Sequence, residues 1–164
     1  MDLSVRSDRE IAQWIFNYEE KSATDQPLYH RLLEERARRG ALKNKLDIET
    51  SLAGLREAAV KQGCTTYGAL AAASNVPWAT AHRAMSGAGG HLDQLLDVCH
   101  ARGLPLLTAL CVNQGGLETG ELDLYALRGF CAGARRLGYK FADDLTFHHE
   151  QRDASWAWGR TLPG

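Results

Sequence analysis

Residues 65–85 read TTYGALAAASNVPWATAHRAM, and this stretch decides the fold. A threonine at its start can cap a short alanine-rich helix, because an N-cap hydroxyl accepts a backbone N–H of the first turn. The turn Asn75-Val76-Pro77 follows, and proline suits the start of the next helix. That helix extends from Trp78 to about Met85 and ends at the glycine-rich run 87–90. Two short helices joined by a tight turn predict a helix-turn-helix.

The segments on either side predict longer helices. Upstream, Asp47 can cap a helix that ends at Gly63, and its apolar residues repeat at spacings of four, three and four: Ile48, Leu52, Leu55 and Ala59. Downstream, a helix from His91 to Arg102 has an apolar face made of Leu92, Leu95, Leu96 and Cys99. Both helices belong to the same predicted core as the helix-turn-helix.

The periodicity changes after Pro105. Residues 106–112 read LLTALCV, a short apolar run that is followed by the turn residues 113–116. This pattern is typical of a strand that enters a turn. The expected fold class is therefore mainly α, a helix-turn-helix core with a small β-wing around 106–120, flanked by N- and C-terminal helices.

The two ends of the chain also carry helical patterns. Residues 7–10 (SDRE) form a capping box, a second helix follows Pro27 with Gly40 as its expected stop, and the tail after Asp143 is helical as well. These patterns predict three parts: an N-terminal helical arm (1–46), a winged helix-turn-helix-like core (47–138) and a C-terminal helical segment (139–164).

Composition sets the broad class. The chain has 164 residues, of which 45% are hydrophobic and 24% charged, as in an ordinary globular protein. With 19 basic and 20 acidic residues the net charge is −1, which gives no compositional support for a nucleic-acid partner. No apolar run is long enough for a membrane span and no secretory signal is evident, so we expect a cytoplasmic protein whose four scattered cysteines are free thiols.

The middle of the chain resembles the winged helix-turn-helix domain of the alkyltransferase-like proteins and the O6-alkylguanine-DNA alkyltransferases. Residues 65–71 (TTYGALA) match the start of that family's first helix, and Leu104-Pro105 and residues 112–116 (VNQGG) occupy the places of its strand and turn. The resemblance implies DNA binding. It does not imply alkyl transfer, because Leu106 stands where the family has its reactive cysteine and Leu107-Thr108 where it has His-Arg.

Residues 50–137 also resemble a group of small bacterial proteins with no assigned activity. The shared motifs are the TYG-x-LA helix, the stretch at 102–110 (RGLPLLTAL) and Gly129-Phe130. The loop before that glycine differs from the group, because residues 119–123 read TGELD where a Pro-Gly turn is usual.

The helix from Trp78 to Met85 is the element expected to meet a nucleic-acid groove. Thr80 and Arg83 are three residues apart and share a helix face, with His82 beside them. An arginine can read guanine, while threonine or histidine can bind phosphate. The full predicted contact set is Arg38, Arg39, Thr66, Tyr67, Thr80, His82 and Arg83. The alternative is a helix that packs inward through Trp78, Ala81 and Met85.

No catalytic residue, metal ligand or cofactor is predicted. His148-His149-Glu150 lacks the i, i+4 histidine spacing of a helical zinc site, and Cys99 and His100 diverge on their helix. A nuclease would need several carboxylates around a divalent ion, and the candidates are Glu118, Glu121 and Asp123, with Asp143-Asp144 further on.

Three functions follow from these patterns. The first is a non-enzymatic nucleic-acid-binding or regulatory protein. The second is an adaptor or inhibitor that binds a partner protein, for example in phage defence or counter-defence. The third is a small metal-dependent nuclease. No membrane partner is expected.

Overall fold

The computed structural model describes residues 1–163, and these are mainly helical, as predicted. The α-helices are α1 (Asp8–Glu20), α2 (Pro27–Asn44), α3 (Ile48–Val60), α4 (Tyr67–Ala73), α5 (Trp78–Met85), α6 (His91–Ala101), α7 (Leu124–Arg136) and α8 (Asp144–Arg160). Short 3₁₀ helices occupy Leu3–Val5, Leu107–Leu110 and Gln114–Gly116. Two strands complete the fold, β1 (Thr65–Thr66) and β2 (Cys111–Val112).

The predicted caps start the helices. Ser7 Oγ accepts the Glu10 backbone N–H at 3.1 Å before α1, and Asp47 accepts that of Thr50 at 2.9 Å before α3. Thr66 does the same for α4, accepting the Ala69 N–H at 3.1 Å. Each cap satisfies a backbone donor that the first helical turn leaves unpaired.

Helix α6 lies at the centre of the molecule. Residues 94–99 are all buried, because α6 is contacted by α2, α3, α5, α7 and the 3₁₀ helix Leu107–Leu110. A helix that is covered on every side needs apolar or internally paired side chains all round. The N-terminal helices pack on this centre mainly through α2, and α8 packs against α3.

Gly40 does not end α2, which continues to Asn44. A Cβ at this glycine would overlap the side chain of Gln94 on α6. Gly40 therefore serves the close approach of two helices, and the prediction of a helix stop was wrong.

The predicted β-wing around 106–120 is replaced by a different arrangement. Most of the apolar run 106–112 forms the 3₁₀ helix Leu107–Leu110, and only β2 is extended. β2 pairs in parallel with β1, in the register Thr65 with Cys111 and Thr66 with Val112, so the wing is no hairpin. The run is enclosed by α3, α6 and α8, and a short apolar run buried on all sides has no periodicity that distinguishes strand from helix.

Among residues 1–163, none of the helices combines the length and the apolar character that crossing a bilayer requires.

Candidate nucleic-acid interface

Helix α5 is anchored by one face and exposed on the other. Ala81 and Met85 are each 1% exposed and pack into the core. Thr80, His82 and Arg83 are all exposed to solvent. The helix-turn-helix therefore leaves the predicted contact residues of its second helix accessible.

Trp78 stands at the start of this exposed face. It is 48% exposed, and its ring centroid lies 6.2 Å from that of His82. The alternative in which α5 packs inward through Trp78, Ala81 and Met85 is therefore correct for the last two residues and wrong for Trp78. An exposed indole beside a basic helix face offers a flat apolar surface.

The imidazole of His82 is oriented by its own helix. Its Nδ1 lies 3.1 Å from the Trp78 carbonyl oxygen. That carbonyl can only accept, so Nδ1 carries the proton and Nε2 is left for another partner. Arg83 makes no ion pair or side-chain hydrogen bond with any of the described residues, so its guanidinium is open to an external anion.

The segment that forms the helix-turn-helix contains no acidic residue of its own. Residues 58–92 contain no aspartate or glutamate, although the chain as a whole has a net charge of −1. This stretch includes β1, α4, the turn, α5 and the loop to α6. The helix-turn-helix itself therefore carries only neutral and basic side chains.

Thr66 and Tyr67 lie at the start of α4 and are half-buried. The Thr66 hydroxyl is engaged as the helix cap. Tyr67 lines a groove beside the helix-turn-helix, and burial raises the pKa of its hydroxyl. These two predicted contact residues therefore have structural surroundings distinct from those of Thr80, His82 and Arg83.

Arg38 and Arg39 lie on α2 and are held in ion pairs. Arg38 donates two hydrogen bonds to Glu35, at 2.6 and 2.9 Å. Arg39 bonds to Glu35 at 3.2 Å and to Asp8 at 2.8 Å. A phosphate would have to displace these carboxylates, so neither guanidinium is as available as that of Arg83.

The structure brings together three residues that sequence reasoning treated apart: Glu121, His148 and His149 have ligand-type atoms within 4.8 Å of one another. His149 Nε2 lies 2.8 Å from Glu121, and the hydrogen bond from this histidine, with the nearby charge of Arg152, lowers the pKa of Glu121. Arg152 Nη1 lies 3.3 Å from the same carboxylate. The cluster holds one carboxylate that is already balanced by an arginine, and Glu118 lies outside it, an arrangement poor for Mg²⁺.

Sequence reasoning also missed a groove of about 590 Å³ next to the helix-turn-helix. It lies between α6 and α7, and the residues that follow α5 form part of its wall. Its lining comes from segments between Tyr67 and Arg136, so no local motif could indicate it.

Compared with protein-family models, with curated proteins and with solved structures, the chain shows no match. The features that indicate a function are the exposed face of α5 and the groove between α6 and α7.

Proposed function

We propose that this chain is a non-enzymatic nucleic-acid-binding protein that inserts α5 of its helix-turn-helix into a groove of double-stranded DNA. The observation that carries the proposal is the exposed, acid-free face of α5, where Thr80, His82 and Arg83 are accessible while Ala81 and Met85 hold the helix on the core.

The three side chains have separate roles in this proposal. Arg83 contacts a phosphate or the O6 and N7 atoms of a guanine, both of which suit a guanidinium. Thr80 donates its hydroxyl hydrogen to a phosphate oxygen and fixes the position of α5 on the duplex, while Nε2 of His82 accepts a hydrogen bond from a base amino group. Trp78 covers sugar and base edges at the rim of the groove.

The balanced net charge is compatible with this function. Nucleic-acid affinity depends on the positive charge of the protein surface that contacts the phosphates, because this charge replaces condensed counterions. The net charge of the whole chain matters less. With Arg83 as the only arginine or lysine on α5, the expected affinity is modest and strongly dependent on salt.

The test is fluorescence anisotropy with a labelled random-sequence duplex, titrated with the whole chain at several salt concentrations. We expect the logarithm of the binding constant to fall linearly with the logarithm of salt concentration. Arg83→Ala should weaken binding about tenfold. It should also reduce the magnitude of this slope by about one, which corresponds to the loss of one phosphate contact.

Arg9→Ala is the matched control. Arg9 is also exposed and unpaired within residues 1–163, but it lies on α1. An equal loss in the two variants would show non-specific charge attraction and contradict the role of α5. Absence of duplex binding, together with a partner protein that co-purifies in stoichiometric amount, would favour the adaptor function instead.

A further inference from the structure

The groove between α6 and α7 has the size of a small-molecule site. Its volume of about 590 Å³ falls within the range of about 300–1,000 Å³ that is typical of ligand pockets. Leu92 and Leu96 of α6 line one side, and Phe130 of α7 lines the other. Gly129 leaves the α7 wall open, because a Cβ there would meet nothing within 4 Å.

Two hydroxyl groups that line this apolar groove have no partner. Thr108 is only 6% exposed, yet its hydroxyl makes no side-chain hydrogen bond with any residue in 1–163. Tyr67 is half-buried, and within the same residues its hydroxyl is also without a hydrogen bond. Both hydroxyls are therefore available to bond to a polar atom of a ligand.

The third polar group is the carboxylate of Asp93 on α6. One oxygen, Oδ2, accepts the Gly89 backbone N–H at 2.9 Å. The other oxygen, Oδ1, accepts no hydrogen bond from the described residues and lies at Gly133, where a Cβ would come within 3.2 Å of it. Gly133 thus keeps open the side of the carboxylate that faces the groove.

The charge of Arg136 lowers the pKa of Asp93, but the two side chains form no ion pair. Arg136 also lines the groove, but it donates to Asp97 at 2.5 Å and to Glu19 at 3.1 Å. These two carboxylates occupy its positive charge. The polar end of the groove therefore retains a carboxylate without an ion-pair partner among residues 1–163, and burial raises the pKa of Asp93 although the Gly89 N–H and the charge of Arg136 partly offset the desolvation.

We propose that this groove binds a small molecule made of an apolar ring system and an amine. The rings lie between Leu96 and Phe130, the amine donates to Oδ1 of Asp93, and the hydroxyls of Thr108 and Tyr67 bond to polar atoms on the ring edge. The ammonium group forms an ion pair with the Asp93 carboxylate, which has no ion-pair partner among residues 1–163.

Tyr67, Thr108, Gly129 and Phe130, which come from three separate segments of the chain, all line this groove. The groove also contacts the residues directly after α5, Ser86 to Ala88. The proposal does not depend on nucleic-acid binding, because the ligand is bound by α6 and α7.

The test uses 2-naphthylmethylamine as the probe and 2-naphthoate as its anionic counterpart, each titrated calorimetrically into the whole chain without nucleic acid. We expect the amine to bind with a Kd of about 100 µM or below, and the carboxylate at least about tenfold more weakly, since Asp93 would repel it.

Three variants locate the binding. Gly129→Leu should abolish binding of the amine by filling the groove, whereas Gly129→Ala, which adds one methyl group at the same position, should retain most of it. Asp93→Asn keeps an acceptor for the Gly89 N–H and should remove the preference for the amine over the carboxylate. Circular dichroism and thermal unfolding verify that each variant is folded.

Each contrary result overturns the proposal. Unchanged affinity in Gly129→Leu would place the probe elsewhere, and equal or stronger binding of 2-naphthoate would contradict the role of Asp93. Binding of neither probe by the folded chain would show that the groove does not take an apolar amine. Because duplex DNA is absent from these titrations, failure here is distinct from failure of the proposed nucleic-acid function.

Discussion

The guanidinium of Arg136 on α7 donates a hydrogen bond of 2.5 Å to the carboxylate of Asp97 on α6. The Asp97 side chain is only 2% exposed. Arg36 of α2 donates to the other oxygen of the same carboxylate at 2.9 Å. One buried acidic residue thus joins three helices, and it lies in the middle of the most buried element of the fold.

We predict that Asp97→Ala lowers the free energy of unfolding by about 3 kcal/mol, because Arg136 is left with Glu19 alone and Arg36 loses its carboxylate. Arg36→Ala should cost less than about 1 kcal/mol, since the Arg36 side chain is 36% exposed and water screens the pair. Urea unfolding of the three proteins measures both values. A loss below about 1 kcal/mol in Asp97→Ala would show that the network contributes little to stability.

The burial of His91 should make the stability of the fold sensitive to acid. The residue is fully buried, its Nε2 lies 2.7 Å from Ser51 Oγ, and burial lowers its pKa to about 4. In the unfolded chain a histidine titrates near pH 6.5, so the unfolded state binds more protons between pH 6.5 and 4. Stability should therefore fall as the pH is lowered through this window, by about 3 kcal/mol at its lower end.

The control for this prediction is His91→Gln, measured by urea unfolding at several pH values. Burial also lowers the pKa of His100 and His148, so the wild-type slope includes their contributions. The variant should unfold with a flatter dependence on pH between 6.5 and 4. Identical slopes in the two proteins would rule out His91 as a source of the acid sensitivity.

The helices could be predicted because their signals are local. Asp47 and Thr66 cap the helices that follow them, and apolar residues at spacings of three and four mark the buried faces. Gly40 and the run 106–112 were predicted wrongly because tertiary contacts decide them. Gln94 packs over the glycine, and three helices enclose the apolar run.

The candidate sites differ in the same way. The accessible face of α5 follows from one helix of eight residues, so the sequence indicated it. The groove depends on the distance between α6 and α7, and the cluster of Glu121 with His149 joins residues that are 28 positions apart. Neither arrangement is visible before the helices are packed.

The cysteines should be unreactive in the folded protein. Cys99, Cys111 and Cys131 are buried and Cys64 is half-buried. Burial raises the pKa of Cys99 to about 12 and of Cys131 to about 11, and a protonated thiol is a poor nucleophile. With Ellman's reagent near pH 7.5 we expect at most one slow reaction, at Cys64, and four rapid ones in denaturant.

Cys64→Ser identifies that reaction. The folded variant should show no release of thionitrobenzoate, and the unfolded variant should show three equivalents. Rapid reaction of a second thiol in the native wild-type chain would mean that α6, β2 or α7, which carry the three buried cysteines, opens readily.

A buried and an exposed helical glycine should respond to alanine in opposite directions. Gly159 of α8 packs against α3, where a Cβ would overlap the carbonyl group of Ala59 and come within 2.8 Å of the Val60 nitrogen. The added methyl group cannot be accommodated by rotating a side chain, because the atoms that it meets belong to backbone. Gly159→Ala should therefore lower the free energy of unfolding by about 2 kcal/mol.

Gly129 of α7 is exposed, and a Cβ there meets nothing within 4 Å. Gly129→Ala should raise the free energy of unfolding by about 0.5–1 kcal/mol, because alanine loses less conformational entropy than glycine in a helix. Urea unfolding of both variants measures the contrast, with helix propensity acting in the same direction at each position. If Gly159→Ala proved as stable as wild type, α3 and α8 would have to lie further apart than the structure has them, since no other relief is available to two backbones in contact.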